Sequence, residues 1–354
     1  MKVIKTKYYP VYVGDGLLSS FDFAQFKASA FVVVTDPTVH KTLSKLLASN
    51  PSLKTAPIYS AVVPQGEGSK SLATAQKLLR FLAVHNIDRS AIILALGGGV
   101  VGDLAGFVAS VYKRGVRYVQ LPTSLLAQVD SSHGGKTALN LPEGKNLVGT
   151  TYFPEAVVAD VGVLASLPPV ELASGLAEAI KHGIICDKKL FAYIEKHIDK
   201  LSFKDLLFLI EKSAQAKAKI TEKDPEEAEY RKILNYGHTV GHALEIASNN
   251  TLSHGQAVAL GMVCEGTIAN QLGFLNNKDL VRQNNLIKEL GIVSPKQFDT
   301  NKLLDYMRRD KKSKAGKLYF VMPATIGKIR QKDGQVAFEV DEDVVRQCLK
   351  SVTN

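Results

Sequence analysis

The chain has 354 residues and a net charge of +10, with 45% hydrophobic and 22% charged residues. This composition is typical of a soluble globular protein, and the length predicts two domains. No segment approaches the roughly 18 apolar residues of a membrane-spanning helix, so we expect no membrane partner. Met1–Lys7 lacks the apolar centre of a secretory signal, and three widely spaced cysteines favour buried thiols over disulfides, so we expect a cytoplasmic protein.

The excess of basic residues has two explanations, a nucleic-acid surface or a binding site for a polyanionic metabolite. The densest basic segment, Arg308–Lys314, is short, and only 7% of all residues are aromatic. Basic and aromatic residues do not alternate along the chain. We therefore expect an anionic small molecule as the ligand and no nucleic-acid partner.

Strands and helices alternate in the first third of the chain. Apolar, β-branched segments predict buried strands at Phe31–Asp36, Ala91–Leu96, Val116–Leu121 and Val157–Asp160, with a further candidate at Ala61–Pro64. The intervening segments predict helices at Lys41–Ser49, Ser71–Val84 and Leu104–Ser110. This alternation favours an α/β fold with an open, mostly parallel sheet.

A glycine-rich turn follows the second of these strands. Gly97, Gly99 and Gly102 fit the G-x-G-x-x-G pattern of dinucleotide-binding turns, and a predicted helix comes next. Glycines let backbone N–H groups approach a pyrophosphate, and a helix start favours its charge. The acid that Rossmann domains usually carry about 20 residues later is missing. The pattern alone leaves open a dinucleotide in a non-standard arrangement and a turn that only packs.

The double proline Pro168-Pro169 ends regular structure and predicts domains of residues 1–165 and 166–354. The second domain reads as mainly helical until a late strand at Lys317–Met322. Its first predicted helix carries Glu178 and Lys181 on one face, between small and apolar residues that indicate burial. A buried carboxylate requires a cation or a metal as its partner.

The segment from Arg231 to His242 has an unusual polar stripe. Arg231, Asn235, His238 and His242 are spaced 4, 3 and 4, which predicts one face of a single helix. Together with the later His254, this set favours a metal and an anion held side by side over a solvated helix face. Spacing alone favours His238 and His242 as a pair of metal ligands.

Long motifs in both halves point to a known family. They are Gly97–Phe107, Tyr112–Arg117, Pro122–Thr137, Gly144–Asn146, Glu171–Lys181, Arg231–His242 and His254-Gly255. Together they resemble 3-dehydroquinate synthase, a sugar-phosphate cyclase, over most of the chain. The resemblance implies an N-terminal Rossmann-like, parallel-sheet NAD-binding domain and a mainly α-helical C-terminal domain for metal and substrate.

The resemblance also implies the chemistry. The family converts 3-deoxy-D-arabino-heptulosonate 7-phosphate to 3-dehydroquinate and phosphate in the shikimate route. The steps are oxidation of the C4 hydroxyl by NAD, β-elimination of phosphate, reduction, ring opening and intramolecular aldol closure. A divalent metal, zinc or alternatively cobalt, would be held by Glu178, His238 and His254, with an open position for a substrate oxygen.

Further site residues follow from the resemblance. Catalytic positions are Asp130, Lys136, Lys181, Lys217, Arg231, Asn235 and His242. Substrate positions are Arg114, Lys136, Asn146, Lys217, Arg231, Asn235, His242 and one of the pair Lys311 and Lys312. Arg114 would reach the phosphate in the neighbouring subunit's site, which implies a homodimer. In this assignment His238 faces the metal and His242 faces the phosphate, so the two histidines bind different groups.

The NAD site implied by the resemblance is spread along the first domain. Its members are Asp36, Gln65, Gly66, Glu67, Gly68, Ser69, Lys70, Gly99, Val100, Val101, Gly102, Asp103, Thr123, Ser124, Asp130, Lys136, Lys145, Val163, Leu164, Ala165 and Ser166. Two alternatives remain, another sugar-phosphate cyclase and a metal-dependent polyol dehydrogenase. The joint presence of Arg231, Asn235 and His242 favours the synthase over other cyclases. A dehydrogenase would not require Lys136, Lys145, Lys217 and Arg231 to hold a phosphate and a carboxylate, and it would give net NADH.

Overall fold

The computed structural model describes residues 1–249, 251–292, 298–309 and 317–353. The chain divides into two compact units, Met1–Leu167 and Pro168–Asn354. No helix in this described part is both long enough and apolar enough to cross a membrane. Each unit has its own architecture and its own core.

The N-terminal unit is built on a seven-stranded sheet and a separate hairpin. Its strands in chain order are β1 Lys2–Lys5, β2 Pro10–Gly14, β3 Phe31–Thr35, β4 Ile58–Val62, β5 Ile92–Gly97, β6 Arg117–Pro122, β7 Lys136–Leu141, β8 Gly144–Thr151 and β9 Ala156–Asp160. The sheet order is β1-β2-β9-β6-β5-β3-β4, and the strands from β2 to β4 in that order run parallel. Strand β1 pairs antiparallel with β2, and β7 pairs with β8 as the hairpin.

Helices connect these strands. They are α1 Leu17–Ser20, α2 Pro37–Ala48, α3 Leu72–Val84 and α4 Gly99–Val111, and a π-helical turn covers Ala127–Ser131. Every residue of β3, β5 and β9 is buried, as apolar parallel strands covered on both faces require. Asp36 caps the start of α2, and Pro37 occupies its first turn, where a missing N–H costs nothing.

The C-terminal unit is mainly helical. Its helices are α5 Pro169–Cys186, α6 Lys188–His197, α7 Phe203–Lys223, α8 His238–Ala247, α9 His254–Gln271, α10 Asn277–Lys288, α11 Thr300–Arg309 and α12 Glu342–Thr353. Four short strands form two small antiparallel pairs: β10 Tyr319–Val321, β11 Pro323–Thr325, β12 Lys328–Ile329 and β13 Ala337–Glu339. Apolar residues of α8, α9, α11 and α12 share one core, which includes Leu244, Cys264, Met307 and Leu349.

The predicted fold class is confirmed: an α/β unit with a mostly parallel sheet precedes a mainly helical unit. The prediction of one continuous helix through Arg231–His242 was wrong. Tyr230–Asn235 forms a short 3₁₀ helix, and α8 begins only at His238. Gly237 separates them with a positive φ of 80°, a conformation that ends any right-handed helix.

Candidate active site

The predicted cofactor residues of the N-terminal unit follow the carboxyl ends of parallel strands. Asp36 comes after β3, the turn Gln65–Lys70 after β4 and the glycine turn at the end of β5. Thr123 and Ser124 follow β6, and Val163–Ser166 follow β9. In open α/β sheets, ligands bind outside this edge of the sheet. The topology therefore brings residues from five separate segments to one edge of a single sheet.

The glycine turn leads directly into α4. Because this helix begins at Gly99, its first turn directs the N–H groups of Gly99, Val100 and Val101 away from the helix body. Such a turn favours an anion through its N–H groups and the helix dipole. The glycines are also needed for packing, because a Cβ on Gly97 would lie 2.6 Å from the Val101 Cβ. Both explanations that the sequence left open thus have support at this turn.

Lys70 connects two of the predicted segments. Its buried ammonium lies 2.6 Å from Asp103 Oδ2 and 2.5 Å from Asn146 Oδ1. Asn146 lies beside the turn of the β7–β8 hairpin with a positive φ of 57°. The Lys70 charge thus holds the hairpin against the start of α4. Asn146, expected at the substrate phosphate, accepts a hydrogen bond from Lys70, an expected cofactor residue.

A carboxylate organises the turn after β9. Asp160 accepts hydrogen bonds from the N–H groups of Gly16, Leu18 and Gly162 at 2.9, 2.9 and 3.0 Å. A cavity of about 270 Å³ opens beside it, and its lining includes Asp15, Leu43, Leu46, Val163, Ala165 and Ser166. Three of the predicted cofactor residues therefore line a cavity at the sheet edge.

Other predicted residues of this unit lie on its turns and hairpin. Asp130 is half-buried on the π-helical turn, and Lys136 begins β7 with an exposed side chain. Lys145 is exposed on the hairpin. Arg114 is exposed too and has a positive φ of 62°. Three of these residues, Arg114, Lys136 and Lys145, thus carry their cationic side chains at the surface of this unit.

In the C-terminal unit, a charged pair lies inside helix α5. Glu178 and Lys181 are 0% and 1% exposed, and their side chains form an ion pair one turn apart. The removal of two charges from water is costly unless further polar groups or a metal compensate for it. Their burial therefore marks this face of α5 as a candidate site.

Two histidines complete a group of potential metal ligands. Glu178, His238 and His254 can each offer one ligand atom, all within 4.8 Å of one another. The Nε2 atoms of His238 and His254 lie 3.7 and 3.6 Å from Glu178 Oε1. Two imidazoles and one carboxylate form a ligand set found in catalytic zinc sites.

The second ring nitrogen of each histidine has an acceptor. His238 Nδ1 lies 3.1 Å from the Tyr236 carbonyl, and His254 Nδ1 lies 3.2 Å from Glu245 Oε1. A proton on Nδ1 in a neutral imidazole places the ligand lone pair on Nε2, which faces Glu178. The hydrogen bonds therefore orient both rings as metal ligands require.

The charge balance at His254 also indicates a cation site. Burial lowers its pKa, but the hydrogen bonds that His254 donates to Glu178 and Glu245, together with the charges of these carboxylates, outweigh burial and raise the pKa from 6.5 to about 9. Without a metal, a proton on His254 compensates these carboxylates. A metal would replace that proton as the positive charge.

Buried groups of helix α9 fix the position of His238. Glu265 is fully buried and accepts hydrogen bonds from the N–H groups of Gly237 and Val240, at 2.7 and 3.2 Å. It therefore binds the first turn of α8 on both sides of His238. A Cβ on Gly237 would lie 2.6 Å from Met262 Cγ, so this glycine also permits close packing of the two helices.

His242 lies close to the same group. The His242 ring centroid is 5.4 Å from that of His238 and 6.2 Å from that of His254. His242, Glu245 and His254 form a second set whose potential ligand atoms lie within 4.8 Å of one another. Geometry alone therefore leaves both His238 and His242 beside His254.

A turn before α8 carries the predicted anion-binding residues. Asp224 accepts hydrogen bonds from the N–H groups of Ala228, Glu229 and Arg231, at 2.8 to 2.9 Å. Burial raises the pKa of Asp224, but these N–H groups and the Arg231 charge outweigh burial and lower it overall. This carboxylate thus shapes the loop that delivers Arg231.

Arg231 is the most buried of these cations. Its side chain is 1% exposed, and one guanidinium nitrogen donates to the Pro225 carbonyl at 2.9 Å. Lys217 is also buried, on α7. Asn235 donates to Glu227 Oε1 at 3.1 Å, and Glu227 has a positive φ of 59°. Lys311 and Lys312, the last predicted phosphate residues, lie outside the described part of the chain.

Sequence reasoning missed four acids: Asp224, Glu227, Glu245 and Glu265. Glu245 has a sequence signal, since it is seven residues after His238 and therefore two turns along the same helix. Asp224 and Glu265 accept hydrogen bonds from backbone N–H groups, and Glu227 accepts one from the Asn235 side chain. Residue spacing does not reveal such contacts.

Comparisons with known proteins agree across both units. Residues 60–174 match the family profile "3-dehydroquinate synthase N-terminal", and residues 175–313 match its C-terminal counterpart. A 3-dehydroquinate synthase from Nostoc punctiforme is 43% identical over 331 residues, which cover 91% of this chain and 89% of that protein.

Solved structures share the fold. A 2-deoxy-scyllo-inosose synthase complexed with carbaglucose-6-phosphate, NAD+ and Co2+ aligns with a TM-score of 0.92 at 26% identity, covering 99% of this chain and 100% of the other. A 2-epi-5-epi-valiolone synthase from Streptomyces hygroscopicus with NAD+ and Zn2+ aligns with a TM-score of 0.88 at 25% identity, covering 99% and 98%.

Proposed function

The chain belongs to the 3-dehydroquinate synthase family and is an enzyme of the shikimate pathway, and we propose that it converts 3-deoxy-D-arabino-heptulosonate 7-phosphate to 3-dehydroquinate and phosphate. We assign NAD and zinc as its cofactors. Two relatives of similar fold are complexed with NAD+, one with Co2+ and the other with Zn2+. Cobalt favours the same nitrogen and oxygen ligands and is the natural substitute.

The observation that carries this proposal is the Glu178, His238 and His254 group. Its donor atoms lie within 4.8 Å of one another, and the Nδ1 atoms of both histidines face acceptors. These features fit zinc held by three protein ligands with one position left for substrate. When bound, zinc would polarise an oxygen of the substrate, and NAD would accept and later return two electrons at the carbon that bears it.

The side chains of the C-terminal unit bind and orient the substrate. Lys181 donates to a substrate hydroxyl next to the Glu178 carboxylate and excludes water from it by its burial. Arg231 and Lys217 hold the substrate carboxylate, since a guanidinium donates two parallel hydrogen bonds to such a group. Asn235 and His242 hold the phosphate as it leaves. The buried positions of Arg231 and Lys217 support fixed orientation of the substrate.

The N-terminal unit binds the dinucleotide. The first turn of α4 faces the pyrophosphate with its N–H groups, and the cavity beside Asp160 receives a ring of the dinucleotide. Asp130, Lys136 and Lys145 meet the substrate and nicotinamide side. Lys136 and Lys145 compensate part of the combined charge of the two ligands and contribute to the net charge of +10.

We assign a homodimer in which Arg114 reaches the phosphate of the neighbouring subunit's site. Its exposed side chain and positive φ of 62° suit a residue that projects from its own unit. A mixed dimer of Arg114→Ala and Lys217→Ala subunits tests this assignment. One intact site should form in such a dimer, so activity should recover to a fraction of wild type. Mixed dimers with no recovered activity would contradict the role of Arg114.

Phosphate release from the heptulosonate phosphate tests the function. Release should require both NAD and zinc and should produce no net NADH. Glucose 6-phosphate is the matched counter-substrate, because one relative of similar fold is complexed with carbaglucose-6-phosphate. Stoichiometric NADH would indicate a dehydrogenase, and phosphate release from glucose 6-phosphate alone would indicate a different cyclase.

A further inference from the structure

Glu245 is a buried carboxylate that the family resemblance does not assign. It lies on α8 with 6% of its surface exposed, and its Oε1 atom is 3.2 Å from His254 Nδ1. We propose that Glu245 is a positioning residue for the metal: it holds the His254 ring so that Nε2 faces Glu178 and His238. This inference rests on the proposed function for the identity of the metal.

The two metal histidines are held in different ways. His238 is oriented by a backbone carbonyl, that of Tyr236, and only 12% of its side chain is exposed. His254 has 35% of its side chain exposed and hydrogen-bonds through Nδ1 to a side chain. Packing therefore restrains His254 less, and its ring orientation depends more strongly on Glu245.

The helix pair fixes the distance between Glu245 and His254. Gly261 of α9 lies so close to α8 that a Cβ there would be 1.9 Å from the Gly237 carbonyl oxygen. A Cβ on Gly241 would lie 3.1 Å from the Ala257 carbonyl oxygen. The two helices therefore pack backbone against backbone, and the Glu245 Oε1 atom on one lies 3.2 Å from His254 Nδ1 on the other. A carboxylate in this position also raises the basicity of the ligating nitrogen.

A rival arrangement makes Glu245 a metal ligand, together with His242 and His254. Because His254 Nδ1 lies 3.2 Å from the Glu245 carboxylate, a metal held between these two groups would need the lone pair of that nitrogen. A neutral imidazole has one lone pair, so His254 serves one set or the other. The Glu178 set is favoured, because Nε2 of both of its histidines faces a fully buried carboxylate.

Zinc affinity of the metal-free protein tests the proposal, by competition with a chelator. Glu245→Ala should weaken zinc binding about 10- to 100-fold, the range found for lost partners of metal-bound histidines. Glu245→Gln should lose less zinc affinity, because its amide oxygen can still accept a hydrogen bond from His254 Nδ1. The loaded Glu245→Ala protein should keep the visible Co²⁺ spectrum of the wild type, because its ligand atoms are unchanged.

Asp279→Asn is the matched control. Asp279 is a buried carboxylate of the same unit that accepts hydrogen bonds from Thr325 and the Ile326 N–H, neither of them a metal residue. This variant should lose stability and keep its zinc affinity. Unchanged zinc affinity in Glu245→Ala would overturn the proposal. So would a Co²⁺ spectrum that shows a lower coordination number in Glu245→Ala than in wild type, because it would make Glu245 a ligand.

The same proteins separate this inference from the proposed function. The zinc affinities of wild type and variants could follow the expected order while the wild type releases no phosphate from the heptulosonate phosphate. That result would refute the proposed function and leave the role of Glu245 intact. Active wild-type protein whose zinc affinity does not depend on Glu245 would refute the role alone.

Discussion

The two units present their functional groups in different ways. In the N-terminal unit, the candidate ligand groups lie on turns after parallel strands, and many of them are backbone N–H groups, as at the start of α4. In the C-terminal unit, they are side chains on and between helices, and Glu178, Lys181 and Arg231 are almost completely buried. The candidate site of one region is thus built from the shape of the backbone, and that of the other from charges removed from water.

This difference predicts how each region responds to substitution. A backbone N–H group remains after a side chain is changed, so the N-terminal region is sensitive mainly where an added atom disturbs the turn. A buried charge leaves its partner uncompensated when it is removed, which costs roughly 3–5 kcal/mol for a buried pair. The C-terminal region should therefore lose both chemistry and local stability from single changes.

The largest effect is expected for Glu178→Gln. This change removes one ligand charge and leaves Lys181 without its carboxylate partner, so zinc binding should weaken and turnover should fall by several orders of magnitude. NADH binding, measured by fluorescence, should stay close to wild type if the two regions are independent. Glu195→Gln is the control, since this acid pairs with Arg282 and its side chain is 35% exposed. Retained zinc binding and a normal turnover rate in Glu178→Gln would contradict the claim that the C-terminal region depends on its buried charges.

A smaller loss is expected for Arg231→Lys. Lysine keeps the charge but not the planar set of donors, one of which reaches the Pro225 carbonyl at 2.9 Å. We expect kcat/KM for the heptulosonate phosphate to fall about 100-fold, since a lost charged hydrogen bond is worth about 1.5–3 kcal/mol. Arg282→Lys is the matched control, because its guanidinium pairs with Glu195 and is 28% exposed. Equal losses of kcat/KM in both variants would show that the burial of Arg231 does not make it more sensitive to substitution than Arg282.

Two neighbouring glycines test the N-terminal region. A Cβ on Gly97 would lie 2.6 Å from Val101 Cβ, whereas one on Gly98 would have its nearest contact at 3.5 Å, with Ser124 Oγ. Gly97→Ala should therefore destabilise the unit by about 1–3 kcal/mol, as overpacking does. It should weaken NAD binding by displacing the start of α4. Gly98→Ala should change the free energy of unfolding little, as measured by urea titration. Equal destabilisation by both changes would refute the packing argument.

The sequence predicted the interior of the sheet better than its margins. Strands β3, β5, β6 and β9 were visible because buried parallel strands are continuous runs of apolar, β-branched residues. The hairpin of β7 and β8 was not predicted. Most of β8 is exposed, so its pairing is set by the neighbouring strand and leaves no apolar period in the sequence.

The stripe of polar residues from Arg231 to His242 led to the wrong prediction of a single helix for a related reason. A spacing of 4, 3 and 4 fits a helix, but periodicity carries no information about the sign of φ at Gly237. The sequence Asn235-Tyr-Gly was the available signal for a turn. The acids that orient this region, Asp224 and Glu265, hydrogen-bond to backbone N–H groups, Glu265 across a helix pair. Such contacts depend on the assembled fold, so residue spacing could not predict them.

The smallest effect is expected from Asp224, which organises the Arg231 turn through its charge. Its pKa is lowered from 3.8 in the folded protein, so its ionised form stabilises the fold above that pH. This contribution is lost as the pH falls below 3.8 and the carboxyl takes up a proton. Asp224→Asn should therefore unfold at lower urea concentration than wild type at pH 7, in the transition of the C-terminal unit.

The difference between the two proteins should shrink as the pH is lowered below 3.8, because the wild-type carboxyl then also takes up a proton and loses its charge. The amide oxygen that Asp224→Asn introduces can still accept hydrogen bonds, so the part of the difference that disappears measures the charge rather than the shape of the side chain. A difference that is the same at every pH would mean that the side chain supports the turn by its hydrogen-bonding shape alone. The C-terminal region would then resemble the N-terminal one more closely than the burial of its charges indicates.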